Sequence, residues 1–191
     1  MSDHQNTAEY REARRLEALA RLQILDTPSE QAFDDLTGLA ARWLDTPIAL
    51  VSLVDDQRQW FKSRVGLAAE QTPRELAFCA HAIQAHELFE VPDAARDERF
   101  CDNPLVTGEP NIRFYAGMPI ASPDGELVGT LCVIDRVPRE LSEVQQDTLR
   151  RLARTAELQL QLRISLLESE QRATELEHQQ ALNQRLLDSI T

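Results

Sequence analysis

Three cysteines and one histidine are the residues of this 191-residue chain with the greatest capacity for chemistry. Cys79 and His81 stand two positions apart, and Cys101 and Cys132 follow further along the chain. A catalytic thiolate needs a lowered pKa and, in redox chemistry, a second thiol that resolves the intermediate. A pairing of Cys101 with Cys79 would supply that second thiol. The competing interpretation is that Cys79 is a small buried residue of a helix, the usual position of a free cysteine.

Other kinds of chemical site have less support. A metal site could be imagined from His81, His86, Glu87 and Asp93. Their spacing matches no established ligand motif, so we predict no metal site. The three cysteines are odd in number and irregularly spaced, which is typical of reduced thiols. The six glycines are dispersed, so no phosphate-binding loop is predicted and the sequence requires no cofactor.

The composition is that of an ordinary folded protein, with 42% hydrophobic and 27% charged residues. The net charge of −12 opposes binding to nucleic acid, because no basic patch concentrates the twenty cationic residues. The longest apolar stretch, around residues 47–54, is far shorter than the roughly 20 residues that span a bilayer. The polar N-terminus lacks the features of a secretory signal. We therefore expect a cytoplasmic location and no membrane contact by this segment.

Two helices are predicted before any strand. Apolar residues recur every three or four positions from about residue 8 to 25, which predicts a first helix after a flexible tail of residues 1–7. Thr27-Pro28-Ser29-Glu30 has the spacing of a capping box, so a second helix should begin there. The buried stripe of this helix is expected to contain Phe33, Leu36, Ala40, and Trp43 or Leu44.

The pattern then changes to short β-branched segments. Residues 48–54 are apolar on both faces and predict a central strand, paired with residues 58–65 in an antiparallel hairpin. The capping-box spacing recurs at Thr72-Pro73-Arg74-Glu75. A long loop inside a domain usually has a function. A short helix over residues 76–83 and a short strand over 88–91 are predicted next. A long loop over 93–111 follows, and then a second hairpin with strands over 112–120 and 127–134.

One long helix should close the chain from about residue 142, because Ser142-Glu143-Val144-Gln145 is a capping box and neither Gly nor Pro follows it. At about 1.5 Å per residue this helix measures about 75 Å, so its far half must project from the domain. Steps of four and three from residue 162 predict a coiled-coil seam with polar interruptions. Its positions include Leu162, Leu166, Ser169, Ala173, Leu176, Gln180, Asn183 and Leu187.

The element order and four sequence segments resemble the GAF family of small-ligand and signalling domains. The segments are 47–55, 58–63, 103–106 together with 113–117, and 129–135. They are similar to GAF domains found at the N-terminus of bacterial sensor histidine kinases and diguanylate cyclases. The resemblance implies an α+β, PAS-like fold with a six-stranded antiparallel sheet, terminal helices on one face and a ligand cavity on the other. It also implies a homodimer formed through those helices.

Alternation along the two strands of the second hairpin leaves one face more polar than the other, and we assign that face to the cavity. A few convergent polar groups are enough to orient a small ligand. The same groups could instead cover a sheet edge or pin a loop in a domain used only for dimerisation. The ligand-binding candidates are Trp60, Cys79, His81, Asp93, Arg113, Tyr115, Thr130 and Cys132.

Two chemically active GAF subgroups are alternatives. Bilin-binding GAF domains attach the chromophore through a cysteine usually followed directly by histidine, whereas Ala80 separates the two here. A GAF enzyme, the free methionine sulfoxide reductase, has its catalytic cysteine before the fourth strand, and residues 107–111 contain none. The resemblance therefore implies a regulatory domain and not an enzyme.

The sequence predicts a sensory GAF domain over residues 8–150, followed by a coiled-coil signalling helix over 151–191. The predicted function is regulation within a bacterial signal-transduction protein, such as one of a two-component system. A small ligand or a conformational change would act through the dimerised helices on a C-terminal output domain outside this chain. The ligand, the output domain and the orientation of the dimer stay open.

Overall fold

Six antiparallel strands form one sheet, in the order β3-β2-β1-β6-β5-β4, in the computed structural model, which describes residues 8–188. The strands are β1 (Ile48–Val54), β2 (Arg58–Val65), β3 (Gln71–Pro73), β4 (Phe89–Val91), β5 (Phe114–Ala121) and β6 (Leu127–Asp135). The helices are α1 (Ala8–Arg21), α2 (Gln31–Leu44), α3 (Phe78–Ala82), α4 (Pro104–Thr107) and α5 (Glu143–Asp188), with a 3-10 turn at Arg74–Leu76. This arrangement confirms the predicted α+β fold with a six-stranded antiparallel sheet.

β1 and β6 are the central strands, and every residue in them is buried because both faces of the sheet are covered. Their pairing places Val51 opposite Leu131 and Leu53 opposite Gly129. A Cβ on Gly129 would lie 2.0 Å from the carbonyl oxygen of Ser52. Glycine is therefore required there for the two strands to approach each other.

Helices α1, α2 and α5 cover one face of the sheet, which we call the helix face. Side chains of β1 and β6 such as Val51 and Leu131 belong to its apolar core. α2 contributes Leu44, whereas Trp43 is 59% exposed, which decides between the two residues predicted for that stripe. α5 contributes one stripe at helical spacing: Leu149, Leu152, Ala153, Ala156, Leu160 and Ile164.

Short elements and loops cover the opposite face, which we call the loop face. Its core contains Leu50 from β1, Phe78 from α3 and Phe100 from the long loop. That loop includes α4, whose first turn is capped by Asn103, since the Asn103 side chain accepts a hydrogen bond of 2.9 Å from Leu105 N. The Asn103 amide also donates to the carbonyl of Leu76 at 3.0 Å, and this bond ties the covering loop to the end of the 3-10 turn.

Two predicted capping boxes are wrong, because their side chains bind other parts of the fold. α2 begins at Gln31. The Thr27 hydroxyl donates to a backbone carbonyl oxygen three residues earlier in the sequence, and it accepts a hydrogen bond of 2.8 Å from Lys62 Nζ. Thr72 lies in the short edge strand β3, where its hydroxyl accepts a hydrogen bond of 2.6 Å from Gln59 Nε2. The spacing of a capping box alone therefore does not distinguish a helix start from a tertiary contact.

The capping box before α5 is confirmed by reciprocal hydrogen bonds between Ser142 and Gln145, 3.3 Å and 3.1 Å long. Among the described residues of α5, the last buried side chain is Ile164. Leu187 belongs to α5, but its side chain is outside the described part, as is the predicted tail of residues 1–7. Within residues 8–188, none of the helices is both long enough and apolar enough to cross a membrane.

Candidate functional site

Four of the candidate residues meet at the centre of the loop face. The Cys79 Sγ accepts hydrogen bonds from the Tyr115 hydroxyl at 3.3 Å and the Thr130 hydroxyl at 3.1 Å. It lies 4.0 Å from the Sγ of Cys132. All four residues are at most 2% exposed. We call Cys79, Tyr115, Thr130 and Cys132 the thiol cluster.

The elements around the thiol cluster explain how it is positioned. In α3, Phe78 stacks on Phe100 with ring centroids 4.0 Å apart, and this stacking holds the single-turn helix over the sheet. Cys132 in β6 stands opposite Gly117 in β5. A Cβ on Gly117 would lie 2.2 Å from the Tyr115 hydroxyl, so this glycine provides the space that the Tyr115 side chain needs.

The two thiols of the cluster differ in acidity. Burial raises the pKa of Cys79, but hydrogen bonds from Cys132, Thr130 and Tyr115 outweigh burial and lower this pKa to about 6. The hydrogen bond to Cys79, together with burial, holds the pKa of Cys132 well above its usual range. Burial also raises the pKa of Tyr115, and the negative charge on Cys79 adds to this effect. The surroundings therefore favour ionisation of Cys79 over ionisation of Cys132.

Cys101 is exposed in the covering loop, whereas Cys79 is buried. The fold therefore does not bring together Cys79 and Cys101, the pair that the sequence suggested. Cys132, 53 positions from Cys79 in the chain, takes that place.

Two other candidates stabilise the covering loop. Arg113 donates hydrogen bonds to the carbonyl oxygens of Val106 at 2.8 Å and Ile112 at 3.0 Å. Asp93 accepts from the backbone N–H of Ala95 at 3.1 Å. The Arg113 guanidinium thus fastens the chain around α4, and the Asp93 carboxylate orders a turn.

His81 and Trp60 lie further from the thiol cluster. The His81 ring stands edge-on to Phe100 with centroids 4.9 Å apart, and burial, followed by the charge of Arg99, lowers the pKa of His81. Trp60 was expected to line a cavity on the loop face, but it lies on the helix face. It belongs to the apolar core of the helix face, as does Leu53, its partner across the strand pair. Directly opposed residues in an antiparallel pair share a face, which is the reason for this placement.

A separate cavity of about 430 Å³ lies on the loop face near β1 and β2. Its size falls within the range of small-molecule sites. The eight candidate residues, all within the described chain, lie outside its wall. Its apolar wall includes Ile48, Leu50, Phe61, Leu67, Ile112 and Ile134, and its polar groups come from Gln59, Thr72, Glu109 and Arg136.

Polar side chains connect this cavity with the thiol cluster. Gln59 donates from Nε2 to the Thr72 hydroxyl at 2.6 Å and accepts at Oε1 from the Ser52 hydroxyl at 3.3 Å. Ser52 stands opposite Thr130 across the β1–β6 pair and is one of the groups that lower the pKa of Cys79. Neither Ser52 nor Gln59 is among the residues predicted from the sequence. The usable signal was a buried serine in the middle of an otherwise apolar strand.

Within residues 8–188, no group of three or more His, Cys, Asp or Glu side chains is arranged to hold a metal ion.

The chain is similar to a known domain family and to a curated bacterial protein. A model of the GAF domain family matches residues 28–160. A cyclic di-GMP phosphodiesterase from Pseudomonas aeruginosa is 50% identical over 119 residues, which are 62% of this chain and 20% of that protein. The matched part therefore spans only about a fifth of the length of that relative.

Solved structures share the fold at low sequence identity. The GAF domain of an Acinetobacter phosphoenolpyruvate-protein phosphotransferase is 20% identical, with a TM-score of 0.58, covering 88% of this chain and 97% of that one. The blue-light absorbing form of the Thermosynechococcus elongatus PixJ GAF domain is 19% identical, with a TM-score of 0.59, covering 85% and 96%. Free methionine-R-sulfoxide reductase from Neisseria meningitidis is 17% identical, with a TM-score of 0.57, covering 81% and 93%. Similarity at these identities concerns the fold alone.

Proposed function

The chain belongs to the GAF domain family, and on that basis we propose that it is the sensory or regulatory part of a bacterial signalling protein. In this proposal residues 8–150 sense a small ligand or a conformational change, and α5 beyond residue 150, as far as Asp188, is the signalling helix. The chain itself is not catalytic and acts in the cytoplasm. The Pseudomonas aeruginosa relative is a cyclic di-GMP phosphodiesterase, so a phosphodiesterase of this kind joins the histidine kinases and diguanylate cyclases as a candidate output domain.

The observation that carries this proposal is the division of α5 into a docked and an undocked part. Up to Ile164, one stripe of α5 is buried against the sheet. Arg163 fixes the end of this docked part, because its guanidinium donates to the Leu22 and Gln23 carbonyl oxygens, both at 2.6 Å, and to Glu30 at 2.8 Å. The helix then continues to Asp188. A helix held rigidly at one end can carry a movement of the domain to its other end.

The undocked part exposes apolar side chains that a second copy of the chain could cover. Leu166 is 55% exposed and Leu176 is 59% exposed. Both occupy the predicted coiled-coil seam, and Leu162, at the end of the docked part, is 52% exposed. Full burial of a leucine side chain gains about 1.5–3 kcal/mol, so several such residues on one seam favour dimerisation. The exposed polar Asn183 on the same seam would restrict the register of the two helices.

The loop-face cavity supports the sensing half of the proposal. Its apolar wall and the separate polar groups of Gln59, Thr72, Glu109 and Arg136 suit a largely apolar small molecule that carries polar groups. A ligand that prefers one arrangement of sheet and loop can bias the helix pair by no more than its difference in affinity for the two arrangements.

Sedimentation equilibrium tests the dimer. We expect this chain to be dimeric at tens of micromolar, and the double variant Leu166→Glu/Leu176→Glu to be monomeric, because the variant places four carboxylates in each dimer seam. The control Gln171→Glu/His178→Glu adds carboxylates to exposed positions of α5 outside the seam and should stay dimeric. A monomeric parent chain, or equal behaviour of the two double variants, would refute dimerisation through this seam.

Native mass spectrometry of freshly purified protein tests the sensing function. A retained small molecule, lost on denaturation, would support a ligand sensor. A spectrum of the bare protein would instead favour the alternative of a domain that acts only as a dimerisation scaffold.

A further inference from the structure

The thiol cluster lies outside the wall of the cavity and outside the coiled-coil seam, so the proposed function makes no use of it. We propose that Cys79 and Cys132 form a redox-active pair that a hydroperoxide converts into a disulfide. This inference does not depend on a ligand in the cavity or on dimerisation, so it can fail or hold independently of both.

The geometry permits the bond with a small movement. The two Sγ atoms are 4.0 Å apart, and a disulfide requires about 2.05 Å. Cys132 is fixed in the central strand β6, whereas Cys79 belongs to the five-residue helix α3. Because α3 is a single turn attached to loops, it is the element that can move by the required 2 Å or so.

The surroundings assign a different role to each thiol. Cys79 accepts hydrogen bonds from Tyr115 and Thr130, which stabilise its thiolate form. Cys132 keeps its proton while Cys79 is ionised, because a second negative charge at this distance is unfavourable. Cys79 is therefore the attacking sulfur and Cys132 the resolving one.

The chemistry balances in two steps. In the first, the Cys79 thiolate attacks the hydroperoxide, an S–O bond forms and the O–O bond breaks, and the leaving alkoxide or hydroxide takes a proton from solvent. Cys79 is then a sulfenic acid. In the second, Cys132 loses its proton and its sulfur attacks that of Cys79, so that the S–S bond forms and the S–O bond breaks. The departing hydroxide combines with the released proton as water. Overall, the two thiols lose two electrons and become a disulfide. The hydroperoxide is reduced to an alcohol and water, or to two waters when it is hydrogen peroxide.

Burial controls access to the pair. Cys79 is 2% exposed and Cys132 is inaccessible, whereas the neighbouring His81 is on the surface. A small hydroperoxide can reach Cys79 only when α3 opens locally, so oxidation should be selective for small oxidants. The disulfide would join α3 to β6, which pairs with β1 and β5 and packs on its other face against the helices. Oxidation would therefore link the loop face to the centre of the fold.

Thiol counting by alkylation under denaturing conditions tests the proposal. The whole chain is used with Cys101→Ser, because Cys101 is exposed and would otherwise react independently. After hydrogen peroxide treatment we expect a mass loss of about 2 Da, no alkylation of either remaining cysteine, and recovery of both thiols with dithiothreitol. If both thiols stay alkylatable after exposure to peroxide, the proposal is refuted.

Two cysteine variants on this background separate the roles. With Cys132→Ser, oxidation should stop at a sulfenic acid on Cys79 that a dimedone probe captures. With Cys79→Ser, the remaining Cys132 should react at least about tenfold more slowly than Cys79 does, because burial still raises its pKa and keeps it protonated at neutral pH. Equal rates in the two variants would overturn the assignment of Cys79 as the attacking thiol.

Thr130→Val keeps both cysteines and serves if a cysteine variant does not fold. It replaces the donor hydroxyl with a methyl group and raises the pKa of Cys79. We expect disulfide formation at pH 7 to slow several-fold and to recover as the pH rises toward 9. A rate equal to that of the Cys101→Ser parent would contradict the role of the thiolate.

Discussion

The helix face of the sheet has apolar side chains at its centre and charged groups at its margin, whereas the loop face has polar groups at its centre. On the helix face, Leu131 and Val133 of β6 belong to an apolar core that includes the stripe of α5. On the loop face, the neighbouring Cys132 of the same strand contacts Cys79, which also receives the hydrogen bond of Thr130. Alternate residues of one strand therefore belong to two different kinds of core.

The charged margin of the helix face connects its elements. Lys62 of β2 has an inaccessible side chain and pairs with Glu30 at 2.6 Å, while Glu30 also binds Arg163 of α5 at 2.8 Å. Arg15 of α1 donates to the carbonyl oxygen of Val54 at 2.6 Å. These contacts satisfy the buried cations and join α1, α2 and α5 to the sheet.

The difference follows from the elements that cover each face. Long helices present continuous apolar stripes, which fill the surface of a sheet without gaps. One-turn helices and loops cannot do so, and on this face they leave a cavity and a group of polar side chains that satisfy one another. The cavity and the thiol cluster therefore both lie on the face with the less regular cover.

Matched leucine truncations test this comparison and should give the largest effect. Leu131 and Leu50 are fully buried in adjacent strands, but Leu131 faces the helices and Leu50 borders the cavity. Leu131→Ala should lower the free energy of unfolding by about 3–4 kcal/mol, and Leu50→Ala by about 2 kcal/mol, because Leu50 already lacks packing atoms on its cavity side. Urea unfolding at one protein concentration measures both values. Equal losses would mean that the loop face is packed as tightly as the helix face.

The charged margin gives an intermediate effect that depends on pH. The hydrogen bond from Arg15 is the largest effect on Glu12 and lowers its pKa. Burial opposes this, but the hydrogen bond from Arg74 adds to it, and the pKa falls from 4.5 to about 2. A carboxyl group with a lowered pKa in the folded state stabilises the protein above its unfolded pKa, and this contribution is lost as the pH falls through the folded pKa. Glu12→Gln should therefore cost about 1 kcal/mol at pH 7, a value reduced for partial exposure, and almost nothing below pH 2.

Urea unfolding of the Glu12→Gln variant between pH 7 and pH 2 makes this measurement. Glu17→Gln, at an exposed position of the same helix, is the matched control and should change stability by less than about 0.5 kcal/mol. A loss for Glu12→Gln that does not vary with pH would show that packing, and not the carboxylate charge, holds α1 at this margin.

The sequence predicts the regular elements of this fold well, because periodicity depends on neighbouring residues. The apolar run of β1, the stripe of α5 and the capping box at Ser142 each contain their signal within a few positions. The edge strand β3 was missed, since three residues are too few to show an alternation and Thr72-Pro73 suggested a helix start instead.

The candidate site was only partly predictable for a different physical reason. Alternation correctly grouped Tyr115, Thr130 and Cys132, but it could not show that α3 places Cys79 against them. The cavity depends on how two loops, around residues 66–72 and 109–112, pack on the sheet. Such packing is set by contacts between distant parts of the chain, which a local pattern does not contain.

The smallest effect should come from one hydroxyl at the centre of the loop face. Tyr115→Phe removes a donor to Cys79 but leaves those from Thr130 and Cys132, so the pKa of Cys79 should rise from about 6 toward its usual range. Thiolate absorbance near 240 nm, followed against pH with Cys101→Ser in both proteins, measures this shift.

The lowered pKa of Cys79 stabilises the folded state above the unfolded pKa of about 8.5, and this stabilisation is lost as the pH falls through 6. The cost of Tyr115→Phe should therefore grow between these values, but only to about 0.5 kcal/mol, because two other donors to Cys79 remain. An unchanged pKa of Cys79 would mean that the Tyr115 hydroxyl does not stabilise the thiolate.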